Sequence, residues 1–325
     1  MRPARRLIFA LVCLAALDPF VPVMQRRVER HRYEDALAFR FEGSDLFALG
    51  PLVAYLRDQP RGERPRTVFL GNSVMFGYGL DAAEAIPGRF QQLHPDTQVF
   101  NAAINGFEMG SSYLVSKAIV DAVDRFYVMR GAAAANPLLA SLIPAEEADV
   151  RAFHLQSPDP VEARLQSMAE IWHLYASTYR LQAAIFGTST RQYIHGRADA
   201  VRRAIAPDGP PPAIGAHAPA DGAIAVTRWR SATMPTDERR SELRRQDQVL
   251  WQFAELVSAH RRRAVILQFG GAVTGVSSET ELADFNAAFA PFVEVVGLTI
   301  PPAFKYDSRH LTAEGARLVA EALRP

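Results

Sequence analysis

Beyond residue 65, the chain alternates short apolar runs, rich in β-branched and aromatic residues, with longer segments of helical periodicity. This alternation is typical of a parallel sheet whose two faces are covered by helices, because consecutive parallel strands need a crossover between them. The pattern therefore predicts an α/β fold with a doubly wound sheet. Strands are predicted at residues 67–70, 98–102, 125–129, 264–269 and 293–300, and helices at 81–93, 111–123, 281–292 and 312–323.

A long insertion interrupts the pattern between the third and fourth predicted strands, at about residues 131–250. A crossover between parallel strands needs only ~10–12 residues, so the insertion has a structure of its own. Residues 161–186 have a helical pattern, and residues 206–222, rich in Pro, Gly and Ala, are predicted to form a mobile loop or a lid. A charged helix with a solvated face is predicted at 236–263.

The amino terminus carries an apolar run, residues 7–24, directly after three arginines. This arrangement is typical of a signal peptide or a signal anchor. Because the small residues of the run make a poor cleavage site, we favour an uncleaved membrane anchor at residues 1–25. A linker or helical stalk would follow at 26–64, and then an exported domain at 65–325, on the periplasmic or extracellular side. The alternative is an apolar helix that packs on the domain.

The charge and the cysteine content restrict the kinds of partner that this domain can bind. Lys and Arg number 36 against 35 Asp and Glu, so no overall charge favours nucleic acid. The single cysteine, Cys13, excludes an intramolecular disulfide and a cysteine-based zinc site. We therefore expect a small or neutral substrate.

The stretch GNSVMFGYG, residues 71–79, places Ser73 just after the first predicted strand. Binding and catalytic groups collect at the carboxyl ends of the strands in a doubly wound sheet, so this position suits a nucleophile. Met75 stands where the nucleophile elbow of α/β-hydrolases has glycine, and no Gly-Lys-Ser/Thr follows as in a P-loop. Taken alone, the stretch is more typical of a turn than of a nucleophile.

A serine nucleophile needs a base that accepts its proton and a carboxylate that orients the base. Asp307 and His310 lie three positions apart, just before a helix whose predicted N-cap is Thr312. One turn of chain can bring both side chains together, and the last strand-to-helix loop opens on the same edge of the sheet as the first. We therefore predict that His310 deprotonates Ser73 and that Asp307 orients the imidazole.

Three stretches resemble, in order, the conserved blocks of the SGNH or GDSL-type serine hydrolases: FLGNSVMFGYG, NAAINGFEMG and YDSRHLTAEGARLVAEAL. The resemblance spans residues 67–323 apart from the insertion. It implies a three-layer α/β/α, flavodoxin-like fold with a five-stranded parallel sheet, and neither a metal nor another cofactor. It also implies a catalytic triad of Ser73 as nucleophile, His310 as base and Asp307 as its partner, with the backbone N–H groups of Ser73 and Gly106 as oxyanion donors.

Two positions depart from the family pattern. Asn72 stands where the family most often has Asp. The family's third block, Gly-x-Asn, supplies an amide to the oxyanion, but here Ala133 is the residue two after Gly131. Loss of one oxyanion donor costs on the order of 3 kcal/mol of transition-state stabilisation. The candidates to replace this donor are Asn136, from a shifted loop, and Asn105, from the second block.

The resemblance implies an acyl esterase or an O-acyltransferase that works through an acyl-serine intermediate. The substrate would be a carbohydrate or another O-acyl ester, and we favour an O-acetyl ester. The N-terminal anchor resembles that of family members that work beside a membrane acyl-donor protein and acetylate cell-envelope or secreted polysaccharide. The alternative is a catalytically silent module that retains the fold and binds polysaccharide or a membrane partner.

Overall fold

The computed structural model describes residues 3–35, 39–41, 45–59, 62–156, 172–205, 223–229, 236–269 and 286–324. They form an α/β fold built on a mixed sheet of seven strands, in the order β1-β3-β2-β4-β6-β7-β5. All neighbouring strands are parallel except β5 and β7. The strands are β1 (Phe39–Arg40), β2 (Arg66–Leu70), β3 (Gln98–Asn101), β4 (Arg125–Met129), β5 (Ala225–Trp229), β6 (Arg263–Phe269) and β7 (Glu294–Thr299).

The predicted five-stranded parallel sheet is not confirmed, because the sheet has two further edge strands and one of them is antiparallel to its neighbour. The five predicted strands form β2, β3, β4, β6 and β7. The edge strand β1 is only two residues long, which is too short for a periodic pattern. The other edge strand, β5, belongs to the insertion and pairs with β7 in antiparallel register. Its residues are exposed or half-buried, so they do not form an apolar run.

Helices cover both faces of the sheet. The predicted helix at 236–263 is divided in two at Asp247, whose side chain accepts a hydrogen bond from the N–H of Leu250 (3.0 Å) and so begins the second helix. The helices are α1 (Pro3–Leu17), α2 (Val21–Glu29), α3 (Leu49–Asp58), α4 (Ser73–Phe76), α5 (Ile86–Leu93), α6 (Met109–Ile119), α7 (Glu147–Ala152), α8 (His173–Phe186), α9 (Thr190–Ile205), α10 (Asp237–Gln246), α11 (Gln248–Ala259) and α12 (Ala313–Ala322).

Two apolar cores lie on opposite faces of the sheet. Successive strand residues point to opposite faces, so Val68 and Leu70 belong to one core and Phe69 to the other. The first core is closed by α3, α6 and α11, and the second by α5 and α12. In the second core, the ring of Phe69 stacks on Tyr127 with centroids 4.6 Å apart. The fold thus has three layers.

Residues 39–41 and 45–58 belong to the domain core, although a linker or stalk was predicted at 26–64. Phe41, Leu52 and Leu56 are fully buried, and β1 pairs with β3. Most apolar side chains of α3 are buried in the core on one face of the sheet.

The amino-terminal segment is helical throughout residues 3–35 and includes a helix, Leu7–Glu34, that is long and apolar enough to cross a membrane by length and composition. The apolar side chains of α1 are exposed, whereas α2 packs against α8 of the insertion. Buried Glu29 of α2 accepts two hydrogen bonds from Arg180 of α8 (2.6 and 3.0 Å). The predicted lid at 206–222 lies outside the described residues, as do residues 161–171 and 281–285 of two predicted helices.

Candidate active site

The turn after β2 delivers Ser73 to the carboxyl edge of the sheet, the edge at which the parallel strands end. Gly71 has a φ of +151°, and a Cβ there would lie 2.6 Å from Cβ of Met129, so the tight turn requires glycine. Asn72 is the N-cap of α4, and its Oδ1 accepts from the N–H of Val74 (3.1 Å). Ser73 is therefore the first residue of a short helix that starts at the strand end.

The loop before α12 holds Asp307 and His310. An antiparallel bridge pairs Lys305 with Leu311, and the N–H of Tyr306 donates to the carbonyl oxygen of His310 (3.1 Å). Within this closed loop, Oδ1 of Asp307 accepts the backbone N–H groups of Arg309 and His310, each at 2.7 Å. The predicted N-cap Thr312 is confirmed, because its hydroxyl accepts from the N–H of Gly315 (3.1 Å).

The structure brings Ser73, His310 and Asp307 into a continuous relay of hydrogen bonds. Oδ2 of Asp307 lies 2.7 Å from Nδ1 of His310, and Nε2 of His310 lies 2.9 Å from Oγ of Ser73, a residue 237 positions away in sequence. A carboxylate only accepts, so Nδ1 carries the proton and Nε2 is left to accept from the serine hydroxyl. The imidazole is 18% exposed, so substrate can approach it from solvent.

The surroundings of Asp307 lower its pKa to about 2, from an ordinary value of 3.8. The largest cause is the hydrogen bond from the His310 ring, followed by the backbone N–H groups of His310 and Arg309. Hydrogen bonds to the charged form favour that form. Asp307 is therefore ionised at neutral and mildly acidic pH, which is the state that orients the imidazole and stabilises its positive form.

Replacing His310 with alanine is expected to raise the pKa of Asp307 toward 3.8, without reaching it, because two backbone donors remain. The folded pKa lies below the ordinary value, so the ionised carboxylate stabilises the fold above about pH 4, and this contribution is lost as the pH falls toward 2. An NMR titration of the Asp307 carboxyl carbon measures the shift, with His94→Ala as a distant control. An unchanged midpoint in His310→Ala would contradict the assigned cause.

Two tyrosines flank the imidazole of His310. The ring of Tyr306 stacks on it with centroids 5.5 Å apart and an interplanar angle of 14°, and the ring of Tyr78 lies 5.1 Å away at 37°. The hydroxyl of Tyr306 donates to the carbonyl oxygen of Tyr78 (2.7 Å), which ties the His310 loop to the Ser73 loop. The rings fix the orientation of the imidazole, and their faces attract the imidazolium that forms when it accepts a proton.

Neither tyrosine was predicted as a site residue, although Tyr78 lies in GNSVMFGYG and Tyr306 in YDSRHLTAEGARLVAEAL. Gly79 lies next to Tyr78 and approaches Tyr306 closely. Its φ is +80°, and a Cβ there would lie 2.9 Å from the Tyr306 hydroxyl. A glycine at this position lets the two catalytic loops approach closely.

The Tyr306→Phe variant is expected to lower kcat about fivefold while KM changes little. The variant keeps the stacked ring but loses one neutral hydrogen bond, worth about 1 kcal/mol, between the loops that carry Ser73 and His310. Tyr78→Phe is the matched control, because Tyr78 contributes its backbone carbonyl rather than its hydroxyl. Steady-state kinetics on a chromogenic ester compare the two variants, and an equal loss in both would contradict the proposed tie.

Arg40 of the unpredicted strand β1 supports the carboxyl end of α4. Its Nη1 donates to the carbonyl oxygens of Phe76 (3.2 Å), Gly77 (3.1 Å) and Leu80 (2.9 Å). Buried Asn101, at the end of β3, donates to the same Phe76 oxygen (3.2 Å). A cation at a helix carboxyl terminus is favourable. The two side chains thus hold the short helix that begins with Ser73. Neither was predicted as a site residue, although Asn101 is the first residue of the stretch NAAINGFEMG.

The second predicted block lies directly beside the first. The N–H of Ile104 donates to the carbonyl oxygen of Gly71 (3.1 Å), and the N–H of Phe107 donates back to Ile104 (3.0 Å). Gly106 occupies the third position of this turn with a φ of +77°. Both Asn105 and Gly106 are exposed, and a Cβ on Gly106 would meet nothing within 4 Å. The turn therefore borders open space next to the Ser73 loop.

The loop that would carry the third family block is held to the start of α6. The N–H of Ala132 donates to Oε2 of Glu108 (2.8 Å), and the N–H of Asn136 donates to Oγ of Ser111 (2.9 Å). Oδ1 of Asn136 accepts from the N–H of Leu138 (3.0 Å) and caps a 3-10 turn. Asn136 thus has a structural contact that accounts for its side-chain oxygen, and its assignment as an oxyanion donor stays a prediction, as does that of Asn105.

These features define a Ser-His-Asp site at the carboxyl edge of an α/β sheet. Among the described residues, no group of three His, Cys, Asp or Glu side chains is placed to hold a metal ion. No protein-family model matches the chain, and no curated protein matches it. Among solved structures, a variant of the esterase AlinE4 matches with 18% identity over 47% of this chain and 100% of that chain, with a TM-score of 0.20. A likeness this weak carries no argument about fold or activity.

Proposed function

We propose that this chain is a serine-nucleophile acyl-ester hydrolase or O-acyltransferase of the SGNH type. The observation that carries the proposal is the relay from Asp307 through His310 to Ser73, with distances of 2.7 and 2.9 Å. A turn residue or a helix cap has no need of an oriented imidazole, and Ser73 meets the loop that carries Asp307 and His310 although it lies 237 positions from His310 in the sequence. The exposed carboxyl edge gives a substrate access to them.

The reaction begins when Oγ of Ser73 attacks the acyl carbonyl carbon and its proton passes to Nε2 of His310. The negative charge that develops on the carbonyl oxygen would be stabilised by the N–H groups of Ser73 and Gly106. The first N–H of a helix has no partner within the helix, so that of Ser73 is suited to this role. The leaving alcohol then takes the proton from His310, and an acyl-Ser73 ester remains.

The second half-reaction transfers the acyl group to an acceptor that loses its proton to Nε2 of His310, and the imidazole then returns this proton to the departing Oγ of Ser73. Water as acceptor releases a carboxylic acid, whereas a sugar hydroxyl gives a new ester. We propose an O-acetyl ester as acyl donor and a carbohydrate of the cell envelope as the other substrate, with the chain anchored in the membrane through its apolar amino-terminal helix and its domain on the exported side. The exposed apolar surface of α1 supports the anchor.

The test supplies the full chain in detergent with an acetyl ester, with and without polysaccharide acceptors. Acetic acid release that needs no acceptor identifies an esterase, and acetylated sugar identifies a transferase. Ser73→Ala should lose either activity. If the wild-type chain neither releases acid nor acetylates any acceptor while it still binds polysaccharide, the silent binding module is the better account.

A further inference from the structure

The amino-terminal helix approaches the sheet from the edge opposite to Ser73, which we call the amino edge because the parallel strands begin there. Arg66, the first residue of β2, donates to the carbonyl oxygen of Gln59 (3.3 Å), so the carboxyl end of α3 lies at this edge. Arg180 of α8 donates to Asp58 (2.6 Å), the last residue of α3, and to Glu29 (2.6 Å), the last residue of α2. The carboxyl ends of α2 and α3 therefore both lie near the amino edge. The helix α2 therefore meets the domain at its amino edge.

The length of α8 gives the distance from the level of Asp18, at the end of α1, to the carboxyl edge of the sheet. The first turn of α8 lies against Asp18, which accepts from the N–H of Leu174 (2.7 Å). Just beyond its end, the hydroxyl of Thr188 donates to Asp45 (2.8 Å), which precedes α3 at the carboxyl edge. The 14 residues of α8 rise about 21 Å at 1.5 Å per residue. The catalytic edge thus lies roughly 20 Å above the level of Asp18, and α1 extends in the opposite direction.

Aromatic side chains lie close to Asp18, where α1 ends and α8 begins. Phe20 is 68% exposed, and the rings of Trp172 and Tyr175 stack with centroids 6.4 Å apart. Tryptophan and tyrosine are enriched where a membrane meets water. This level therefore has the composition of a membrane interface, directly below the amino edge.

The amino edge itself is basic. Two neighbouring grooves of about 520 and 430 Å³ open on it, and four carboxylates lie among their basic side chains. Two of these carboxylates have partners, because Asp124 accepts from the N–H of Arg66 (2.8 Å) and Glu294 pairs with Arg228. The arginines of the grooves are Arg64, Arg125, Arg261, Arg262, Arg263 and Arg324.

Like charges meet across neighbouring strands at this edge. Arg125 of β4 and Arg263 of β6 are register partners, an arrangement that is unfavourable without a counter-charge. Basic residues close to an anionic bilayer favour binding to it by electrostatic attraction.

We propose that the arginine-lined amino edge rests on an anionic membrane surface and that the active site faces away from the bilayer, roughly 20 Å above it. The inference rests on the membrane anchoring proposed above. It deepens the proposed function, because a site at that height takes its ester from the aqueous side, as a soluble molecule or a polymer chain, rather than from a lipid of the membrane below.

Fluorescence quenching by lipids with nitroxide-labelled headgroups tests this orientation in vesicles that hold the full chain. In a Cys13→Ala background, single thiols are introduced by Phe20→Cys, Gly62→Cys and Ala303→Cys and carry the fluorophore. Gly62 lies on the rim of the basic grooves, where a Cβ meets nothing within 4 Å, and Ala303 lies beyond the carboxyl end of β7. We expect strong quenching at 20 and 62 and none at 303.

A second experiment varies the charge of the lipids and the salt concentration. Quenching at residue 62 should rise with the phosphatidylglycerol content of the vesicles and fall at high salt, whereas quenching at residue 20 should depend on neither. The pair Arg261→Gln and Arg263→Gln should lower quenching at 62, and Arg309→Gln on the opposite edge is the matched control. Equal quenching at 303 and 62, or no quenching at 62 in any lipid, would overturn the proposal.

The outcome is independent of catalysis, since Ser73→Ala should give the same quenching pattern. A chain that turns over ester yet shows no quenching at residue 20 would refute the anchoring and this orientation while leaving the catalytic proposal intact. A chain with the expected quenching pattern but no activity would support the anchoring and the orientation and would refute the catalytic proposal.

Discussion

Ser73→Ala is expected to lower kcat/KM for ester substrates by on the order of 10⁵-fold or more, because no other atom in the relay can form the acyl intermediate. The hydroxyl of Ser73 lies 2.9 Å from Nε2 of His310 and is the group that, among the residues the structure describes, is placed to act as a nucleophile there. The overall fold should be retained, because the side chain of Ser73 makes no contribution to the N-cap of α4, which Asn72 supplies.

Initial rates on a chromogenic acetyl ester measure this effect, with circular dichroism as the check on folding. Ser308→Ala is the matched control, because Ser308 is an exposed serine in the same catalytic loop as His310. A folded Ser73→Ala variant that keeps the wild-type rate would show that hydrolysis occurs at another site.

Asp307→Asn is expected to lower kcat by about 10³–10⁴-fold while the chain stays folded, with a lower melting temperature at neutral pH because the stabilising carboxylate charge is lost. The asparagine is nearly isosteric, so the loop can keep its shape, but it has no charge to stabilise the imidazolium. An amide nitrogen facing Nδ1 would also favour the wrong tautomer of His310. The comparison with wild type is made at several pH values, since Asp307 is ionised over the whole range above its pKa of about 2.

Glu314→Gln is the control for Asp307→Asn, because it removes a nearby exposed carboxylate that pairs with Arg317 rather than with His310. Its kcat should stay within about twofold of wild type, as expected for a surface ion pair. Comparable losses in the two variants would mean that general electrostatics, and not the hydrogen bond of 2.7 Å to Nδ1, explain the effect of Asp307.

The features that could be predicted from the sequence are those set by local or strongly periodic patterns. The central strands are buried on both faces, and continuous apolar runs reveal such strands. The placement of Asp307 beside His310 depends on one short loop, so their spacing was sufficient to predict it. The approach of Ser73 to His310 followed from the topology, because both loops open on the carboxyl edge.

The features that could not be predicted depend on tertiary contacts between segments without a pattern of their own. Strand β1 has two residues, yet it carries Arg40, which binds three carbonyl groups around α4. Asp18 lies within the apolar run at residues 7–24, and the sequence does not indicate its partner. In the structure it binds the first turn of α8, which lies far away in the sequence.

The most direct test of the central claim is the site of covalent modification by a serine-directed fluorophosphonate. The full chain is treated with the probe at neutral pH and digested, and the modified peptide is sequenced by mass spectrometry. The relay of Asp307, His310 and Ser73 predicts a single adduct on Ser73, formed much more slowly in His310→Ala. Absence of an adduct in the folded wild-type chain, or an adduct on a different serine that forms equally fast in His310→Ala, would contradict it.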